Sequence, residues 1–234
     1  MTFPDFDFEK GEILLIDKPL EWTSFDVVNK VRYAVSKKHA KRMKVGHAGT
    51  LDPLATGLLI ICTGKKTKEI DLYQAQEKEY TGKIHLGQTT PSYDKETEPD
   101  KEFPTGHISN ELIYEAAKKF IGEIEQIPPI FSAVKVDGKR LYKHARKGQD
   151  VEIKSRQIFI SEFEITHIEM PLVSFRVVCS KGTYIRSLAY DFGKALNSGG
   201  HLAELRRTRI GDFRIDNAYE LNALIEFIRA GIEN

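Results

Sequence analysis

One carboxylate in the sequence has surroundings that suit chemistry. Asp52 is the only acidic residue of the segment KVGHAGTLDPLATG (44–57), which also holds three glycines. Pro53 disfavours the helical conformation at the residue before it, so Asp52 is held extended. A carboxylate on such a stiffened loop can act as a nucleophile. An aspartate before proline can also simply cap a turn, and spacing alone favours that alternative.

The same segment argues against two other kinds of site. It has neither the Walker pattern nor GxGxxG, so it does not form a phosphate-binding glycine loop. His47 has no second histidine or cysteine at ligand spacing, and we therefore expect no metal site. On spacing alone, His47 is better explained as a loop histidine than as a catalyst.

Positive charge is concentrated in three places, although the net charge is only +1. The clusters are 37–44, 139–147 and the arginines at 206, 207 and 209, and the compensating acids gather at 94–102. This segregation suits a neutral protein that presents a basic face to phosphates. Any one cluster, taken singly, is better explained as a solvated helix face.

Composition limits the class of protein. The chain has 234 residues, of which 41% are hydrophobic and 29% charged, which excludes a disordered or fibrous protein. No apolar run reaches the roughly 20 residues that span a bilayer, and the acidic N-terminus does not have the pattern of a secretory signal. Cys62 and Cys179 lie in apolar stretches, so we interpret them as buried free thiols and expect a cytoplasmic protein.

The elements that must position Asp52 alternate without strict βαβ order. Apolar runs predict strands at 13–16, 58–62 and 80–86 and antiparallel strands within 151–180. Caps and helical spacing predict helices from 23 or 24 to about 36, and at 65–75, 109–120, 140–147, 183–196 and 220–229. The polar stretch 89–107 is interpreted as an exposed loop or insertion. Together they predict an α+β protein with a central, mostly antiparallel or mixed sheet flanked by helices.

The segment GHAGTLDPLATGLLIICTGKKTK (46–68) resembles the catalytic motif of the TruB-type tRNA pseudouridine synthases. Further blocks resemble the same family and follow its order. They are LLIDKP (14–19), KEY (78–80), QIPPIFSAVK with GKRLY (126–142), CSKGTYIRSL (179–188) and LRRT (205–208). The resemblance covers roughly residues 12–215.

The resemblance implies a pseudouridine synthase fold and the isomerisation of the T-loop uridine at tRNA position 55. The reaction involves no redox change, so no cofactor is expected. The implied partner is the T-arm stem-loop of tRNA, bound by a monomer without membrane association. Two alternatives stay open: a non-catalytic tRNA-binding or chaperone module, and a glycosidase-like hydrolase, which would need a second carboxylate.

The resemblance also assigns residues. It implies that Asp52 is the nucleophile and that Arg186 pairs with it, holding the carboxyl ionised. Tyr80 would stack on the flipped base, with Tyr184 and Leu205 lining the same pocket. His47 would enter the RNA and Lys18 would support the site. Our candidate phosphate contacts are Lys41, Arg42, Lys44, Arg140, Lys143, Arg206 and Arg207.

For some of these positions, spacing allows a structural explanation. Arg186 fits a surface charge on an amphipathic helix, Tyr80 a half-buried strand residue, and Leu205 an ordinary core residue. As domain organisation we expect one catalytic domain over 1–234, with an RNA-contacting insertion at about 128–155 and no complete C-terminal PUA domain.

Overall fold

The computed structural model describes residues 3–132, 135–136, 139–141 and 151–230. It contains two compact units, one formed by Met1–Tyr80 with Arg206–Asn234 and the other by Thr81–Leu205. No helix in the described part is long and apolar enough to span a membrane.

The bounds of the elements are as follows. The α-helices are α1 (Ser24–Lys38), α2 (Ile70–Ala75), α3 (Asn110–Lys118), α4 (Ile185–Ala195) and α5 (Leu221–Ala230). Short 3₁₀ helices cover Gly64–Glu69 and Ile215–Asn217. The strands are β1 (Ile13–Lys18), β2 (Val45–His47), β3 (Ala55–Thr63), β4 (Lys78–Leu86), β5 (Gln88–Thr89), β6 (Lys101–Glu102), β7 (Gly122–Gln126), β8 (Lys135–Val136), β9 (Lys139–Arg140), β10 (Arg156–Glu169), β11 (Leu172–Cys179), β12 (Gly200–Ile210), β13 (Phe213–Arg214) and β14 (Tyr219–Glu220).

In the first unit, a sheet in the order β14-β1-β3-β12 packs against α1 and α5. Helix α1 begins at a capping box, in which Thr23 caps the backbone of Asp26 and the Asp26 carboxylate accepts from Thr23. The predicted helical spacing of valines places Val27, Val28 and Val31 in the core. The sheet is mixed, because β1 runs parallel to β14 and antiparallel to β3.

Strand pairing fixes where the Asp52 segment lies. Strand β3 pairs on one side with β1, where Lys18 is opposite Gly57, and it also pairs with β2, where His47 is opposite Ile61. The loop between β2 and β3 therefore joins two antiparallel strands of one sheet. Asp52 belongs to this loop, which we call the 48–54 loop.

The second unit is built on the strand order β4-β11-β10-β7. Strands β10 and β11 form the antiparallel hairpin expected from the alternation in 151–180, and β7 pairs antiparallel with the first residues of β10. Phe120, Phe163, Phe175 and Phe192 make edge-on and tilted contacts in its core. Helix α4 contributes to this core through Leu188 and Phe192.

The predicted α+β class with a mostly antiparallel, mixed sheet is confirmed. The cysteines at 62 and 179 are free and buried, as expected. The helix predicted at 65–75 is correct only from residue 70, since 64–69 form a 3₁₀ turn. The prediction for 140–147 falls largely on 142–150, outside the described residues.

The interpretation of 89–107 as an exposed loop is wrong for its first part. Thr90, Ser92 and Asp94 are at most 5% exposed. Their polar groups are satisfied locally, for the hydroxyls of Thr90 and Ser92 donate to the backbone carbonyl of Asp94. Local hydrogen bonds of this kind allow a polar sequence to be buried, which composition does not reveal.

Gly57 on β3 lies directly against the backbone of Arg207 on β12. It has a φ of +102°, and a Cβ added there would lie 2.3 Å from the carbonyl oxygen of Arg207 and 2.8 Å from its nitrogen. Both conditions require glycine, because an L side chain would meet backbone that cannot move aside.

We predict that Gly57→Ala destabilises the fold by about 3 kcal/mol or more, through left-handed strain combined with overpacking. Gly122→Ala is the matched control. Gly122 has a φ of +105° but no described heavy atom within 4 Å of its added Cβ, so only the strain remains. We expect the free energy of unfolding of that control, measured with urea, to fall by about 1 kcal/mol. Equal losses in the two variants would contradict the close approach.

Candidate active site

The 48–54 loop is held through its backbone. The buried Ser24 hydroxyl accepts from the amide of Leu51 at 2.8 Å and contacts the Leu51 carbonyl at 3.1 Å. The amide of Glu21 donates to the carbonyl of Pro53 at 2.8 Å, and the amide of Ala55 donates to the carbonyl of Asp52 at 3.1 Å. The peptides around Asp52 therefore have defined partners, and its side chain leaves a fixed backbone.

Lys18 also holds the 48–54 loop through a backbone carbonyl. It is 0% exposed, and its ammonium donates to the carbonyls of Pro19 at 2.8 Å, Trp22 at 2.6 Å and Pro53 at 3.4 Å. All three protons of the ammonium thus have carbonyl acceptors. Because Lys18 is fully buried, it supports the loop through backbone carbonyls.

Arg207 holds the other end of the loop. It is 1% exposed, and its guanidinium donates to the carbonyls of Leu58 at 2.8 Å, Gly49 at 3.1 Å and Thr50 at 3.4 Å. Its prediction as a phosphate contact is therefore wrong. The physical reason is that its planar fork of donors fits converging backbone carbonyls inside the protein. A cluster of arginines in the sequence does not show which member points inward.

The two buried cations set the electrostatics of the loop. Desolvation lowers the pKa of Lys18 to about 8, and the nearby Arg207 charge acts in the same direction, while the Asp52 carboxylate opposes both. This attraction between Lys18 and Asp52 favours the ionised form of each group. Burial likewise lowers the pKa of His47, and the Arg207 charge acts in the same direction against a hydrogen bond with the Gly49 backbone, so the neutral imidazole is favoured.

Asp52 itself is half-buried, whereas Tyr80 on β4 is 8% exposed. The structure brings Asp52, His47, Lys18 and Arg207 into the first unit. Arg186, Tyr184 and Leu205 belong to the second, where Leu205 is half-buried on β12.

Arg186 lies in the first turn of α4 and is 4% exposed, so it is not a surface charge. Its guanidinium donates to the carbonyls of Phe131 at 2.9 Å and Ser92 at 3.3 Å, and lies 3.6 Å from the carboxylate of Asp94. Asp94 is buried as well, so the attraction between the two opposite charges acts in a region of low dielectric. Sequence reasoning missed Asp94 because it lies within a run of acidic residues that read as solvent-exposed.

Tyr184 is the N-cap residue of α4, and both its backbone N–H and its backbone carbonyl are hydrogen-bonded. The buried amide of Gln126 accepts from the Tyr184 nitrogen at 2.7 Å and donates to its carbonyl at 3.0 Å. In the first turn of the same helix, the Ser187 hydroxyl donates to the carbonyl of Ile127 at 2.7 Å. The start of α4 is therefore fixed to the end of β7.

A basic groove lies on the first unit, and three of the predicted phosphate contacts line it. Lys41, Arg42 and Lys44 are exposed there. The groove comprises adjoining cavities of about 650 and 360 Å³. Its cationic lining residues are Arg32, Lys41, Arg42, Lys44, Lys65 and Lys68. The last two were not predicted, although the sequence GKKTK carried the signal.

The other predicted phosphate contacts are not among the described residues that line this groove. Arg206 makes a two-pronged ion pair with Asp17, at 2.7 and 3.0 Å, and its side chain remains 40% exposed. Arg140 lies in β9, but the structure does not describe its side chain, and Lys143 lies outside the described residues. Among the described residues, no three histidine, cysteine or acidic side chains are grouped as a metal site requires.

Lys18 makes the stability of the protein depend on pH in a definite direction. Its pKa is about 8 in the folded state and 10.5 as the ordinary value. Between these pH values the unfolded chain binds more protons than the folded chain, so the free energy of unfolding rises with pH. Below about pH 8 both states are protonated and the penalty of the buried charge is constant.

We predict that wild-type protein gains on the order of 3 kcal/mol relative to Lys18→Met between about pH 8 and 10.5. Urea unfolding across this range measures the gain, with Lys10→Met, at an exposed lysine, as the control. If Lys18→Met does not fold, NMR titration of the Lys18 ε-carbon in the wild type replaces it. A pKa near 10.5 would contradict the buried ammonium.

Comparison with known families agrees with the geometry. Residues 37–185 match the model of the TruB family pseudouridylate synthase N-terminal domain, and residues 186–232 match the tRNA pseudouridylate synthase B C-terminal domain. The chain is 60% identical to tRNA pseudouridine synthase B of Flavobacterium johnsoniae, over 95% of this chain and 98% of that protein. The protein of the same name from Phocaeicola vulgatus is 56% identical, with 95% of each chain covered.

Solved structures give a consistent picture. A chain of a Cbf5-Nop10-Gar1 complex matches 94% of this chain with a TM-score of 0.71 and 32% identity. A chain of an H/ACA RNP bound to a substrate RNA matches with a TM-score of 0.69 and 29% identity. This chain spans only about 55% of the length of those structural neighbours. The chain therefore belongs to the TruB family of tRNA pseudouridine synthases, isomerases that act on the uridine at tRNA position 55.

Proposed function

We propose that this enzyme isomerises its target uridine in the T loop of the tRNA T arm with Asp52 as the nucleophile. The observation that carries this proposal is the fixed backbone around Asp52. Buried Lys18, Ser24 and Arg207 hold the peptides on both sides of it. A carboxylate is a weak nucleophile, so its reactivity depends on placement and on a preorganised site.

The isomerisation is a rearrangement within the substrate. The glycosidic bond to N1 breaks, the uracil turns, and a carbon–carbon bond forms through C5, so the product is an isomer of the substrate. No electron acceptor or energy source enters that balance. Asp52 has to remain anionic to act, and the attraction of the buried Lys18 charge favours that state.

Arg186 is proposed as the second catalytic residue and Tyr80, Tyr184 and Leu205 as walls of the base pocket. For Arg186, the support is a buried guanidinium oriented by the carbonyls of Phe131 and Ser92, a placement that suits a positioned charge. The roles of the three pocket residues rest on the family resemblance, since an extruded base needs aromatic or apolar surfaces around it. His47, held neutral by burial, is proposed to contact the RNA beside the flipped nucleotide.

Binding of the T arm is proposed to use the basic groove together with Arg206 and the segment 128–155. RNA of this kind is recognised by shape, splayed bases and phosphates, because the major-groove edges of A-form helices are hidden. Arg42 and Lys44 supply exposed charge for the phosphates, and Lys41 adds to it beside Glu9, with which it pairs at 2.6 Å. A structural neighbour bound to a substrate RNA supports RNA binding by this fold. We propose that the enzyme works as a monomer in the cytoplasm.

We predict that Asp52→Asn abolishes pseudouridine formation in an unmodified T-arm hairpin while leaving the Kd for that hairpin within about threefold of wild type, since it removes the nucleophile but keeps the shape of the side chain. Asp71→Asn, at an exposed position of α2, is the control and should retain full turnover. Pseudouridine mapping on the hairpin measures turnover.

Two outcomes would contradict the proposal. Turnover by folded Asp52→Asn would remove Asp52 as the nucleophile. Wild-type protein that binds the hairpin and leaves every uridine unchanged would exclude T-arm isomerisation and favour a binding module.

A further inference from the structure

The first residue of β10, Arg156, has no place in the site described so far. Its guanidinium carbon lies 4.3 Å from the centre of the Tyr184 ring, which is the distance of a cation–π contact. Its Nε and Nη2 atoms are buried and have no hydrogen-bond partner among the described residues. The ring is therefore the described partner of that face of the guanidinium.

Keeping a cation in such a position has an energetic cost. A buried donor without an acceptor is destabilising, and a cation–π contact offsets part of that cost. Burial also lowers the pKa of Arg156, which reflects the same desolvation. A neutral side chain of similar length would fill this space without the penalty, so the stack on Tyr184 needs a reason beyond stability.

The strand register shows what the arrangement does. Arg156 on β10 is directly paired with Gln126, the last residue of β7. Gln126 holds the backbone of Tyr184 through two hydrogen bonds, whereas Arg156 lies against its ring. One cross-strand pair thus fixes both the main chain and the ring orientation of a single tyrosine.

We propose that Arg156 is a positioning residue for the pseudouridylation reaction, which orients the ring of Tyr184 in the base pocket while Gln126 fixes its backbone. The inference rests on the proposed function, in which Tyr184 forms a wall of that pocket. Arg156 acts through Tyr184, so its contribution belongs to the rate of the chemical step and not to RNA affinity.

The pair Gln126–Arg156 also lies at the end of β7 and the start of β10. Strand β7 ends at Gln126 and β10 begins at Arg156, so the segment between them is the one proposed to contact RNA. The carbonyls of Ile127 and Phe131, in the first part of that segment, accept from Ser187 and Arg186 of α4. The orientation of Tyr184 is therefore set at the base of this segment.

A double-mutant cycle tests the inference. We expect Arg156→Met to lower the single-turnover rate on the T-arm hairpin by about tenfold, with the Kd for the hairpin changed by less than about threefold. In a Tyr184→Leu background the same substitution should change the rate by less than about twofold, whereas in Tyr184→Phe, which keeps the ring, the full effect should remain. A purely structural role would show the same effect in all three backgrounds.

Two further variants keep the test decisive. Arg156→Lys retains the charge but not the planar guanidinium and should reproduce the rate loss if Arg156→Met does not fold. Arg176→Met is the matched control, because Arg176 belongs to the same β10–β11 hairpin and pairs with Glu162 at 2.6 Å, and its rate should equal that of wild type.

The outcomes separate this inference from the proposed function. An undiminished Arg156→Met effect in the Tyr184→Leu background, or a wild-type rate in folded Arg156→Met, would overturn the positioning role while Asp52→Asn remains inactive. A wild-type rate in Tyr184→Leu would overturn it too, since there would be no pocket wall to orient. Turnover by Asp52→Asn would instead overturn the nucleophile assignment.

Discussion

The structure depends on buried cations that bind backbone carbonyls. Lys18 and Arg207 are almost fully enclosed, and their cationic groups donate hydrogen bonds to carbonyl oxygens of Pro53, Gly49 and neighbouring residues. A side chain that holds a main chain in this way restricts the loop without using the Asp52 carboxylate. Asp52 is thereby left with its charge favoured and its backbone fixed, which is what a carboxylate nucleophile requires.

The second unit uses the same principle with different residues. Gln126 holds both backbone groups of Tyr184, and Arg186 and Ser187 bind carbonyls of the segment after β7. In each unit, then, polar side chains buried in the fold bind backbone atoms next to the candidate site residues. Removing such a group leaves a buried polar atom unsatisfied, so the arrangement is sensitive to single substitutions.

Elements with a strong apolar period could be predicted from the sequence. The valines of α1 and the alternation in β10 and β11 each bury one face, and the spacing of the apolar residues indicates which face it is. The continuous apolar run of β3 indicates a strand that is buried on both faces. Sequence context marked Asp52 as a carboxylate on a loop stiffened by proline and glycines, although spacing alone favoured a turn cap there. The family resemblance, and not spacing, supplied the roles of Tyr80, Tyr184 and Arg186.

What sequence reasoning missed depends on contacts between distant residues. Arg207 and Arg206 are neighbours in a basic run, yet strand alternation turns one into the core and leaves the other paired with Asp17 at the surface. Asp94 is buried within a run of acids because an arginine distant in sequence lies against it. Arg156 gave no local signal, since only the pairing of β7 with β10 brings it to Tyr184.

Amide hydrogen exchange at Leu51 tests the rigid presentation of Asp52 most directly. The Leu51 amide donates to the buried Ser24 hydroxyl within the 48–54 loop. If the loop is as fixed as the structure indicates, this amide exchanges as slowly as the amides of β3, through unfolding of the whole unit. Exchange at the rate of an unprotected amide would show that the loop opens locally and would contradict the account of a preorganised nucleophile.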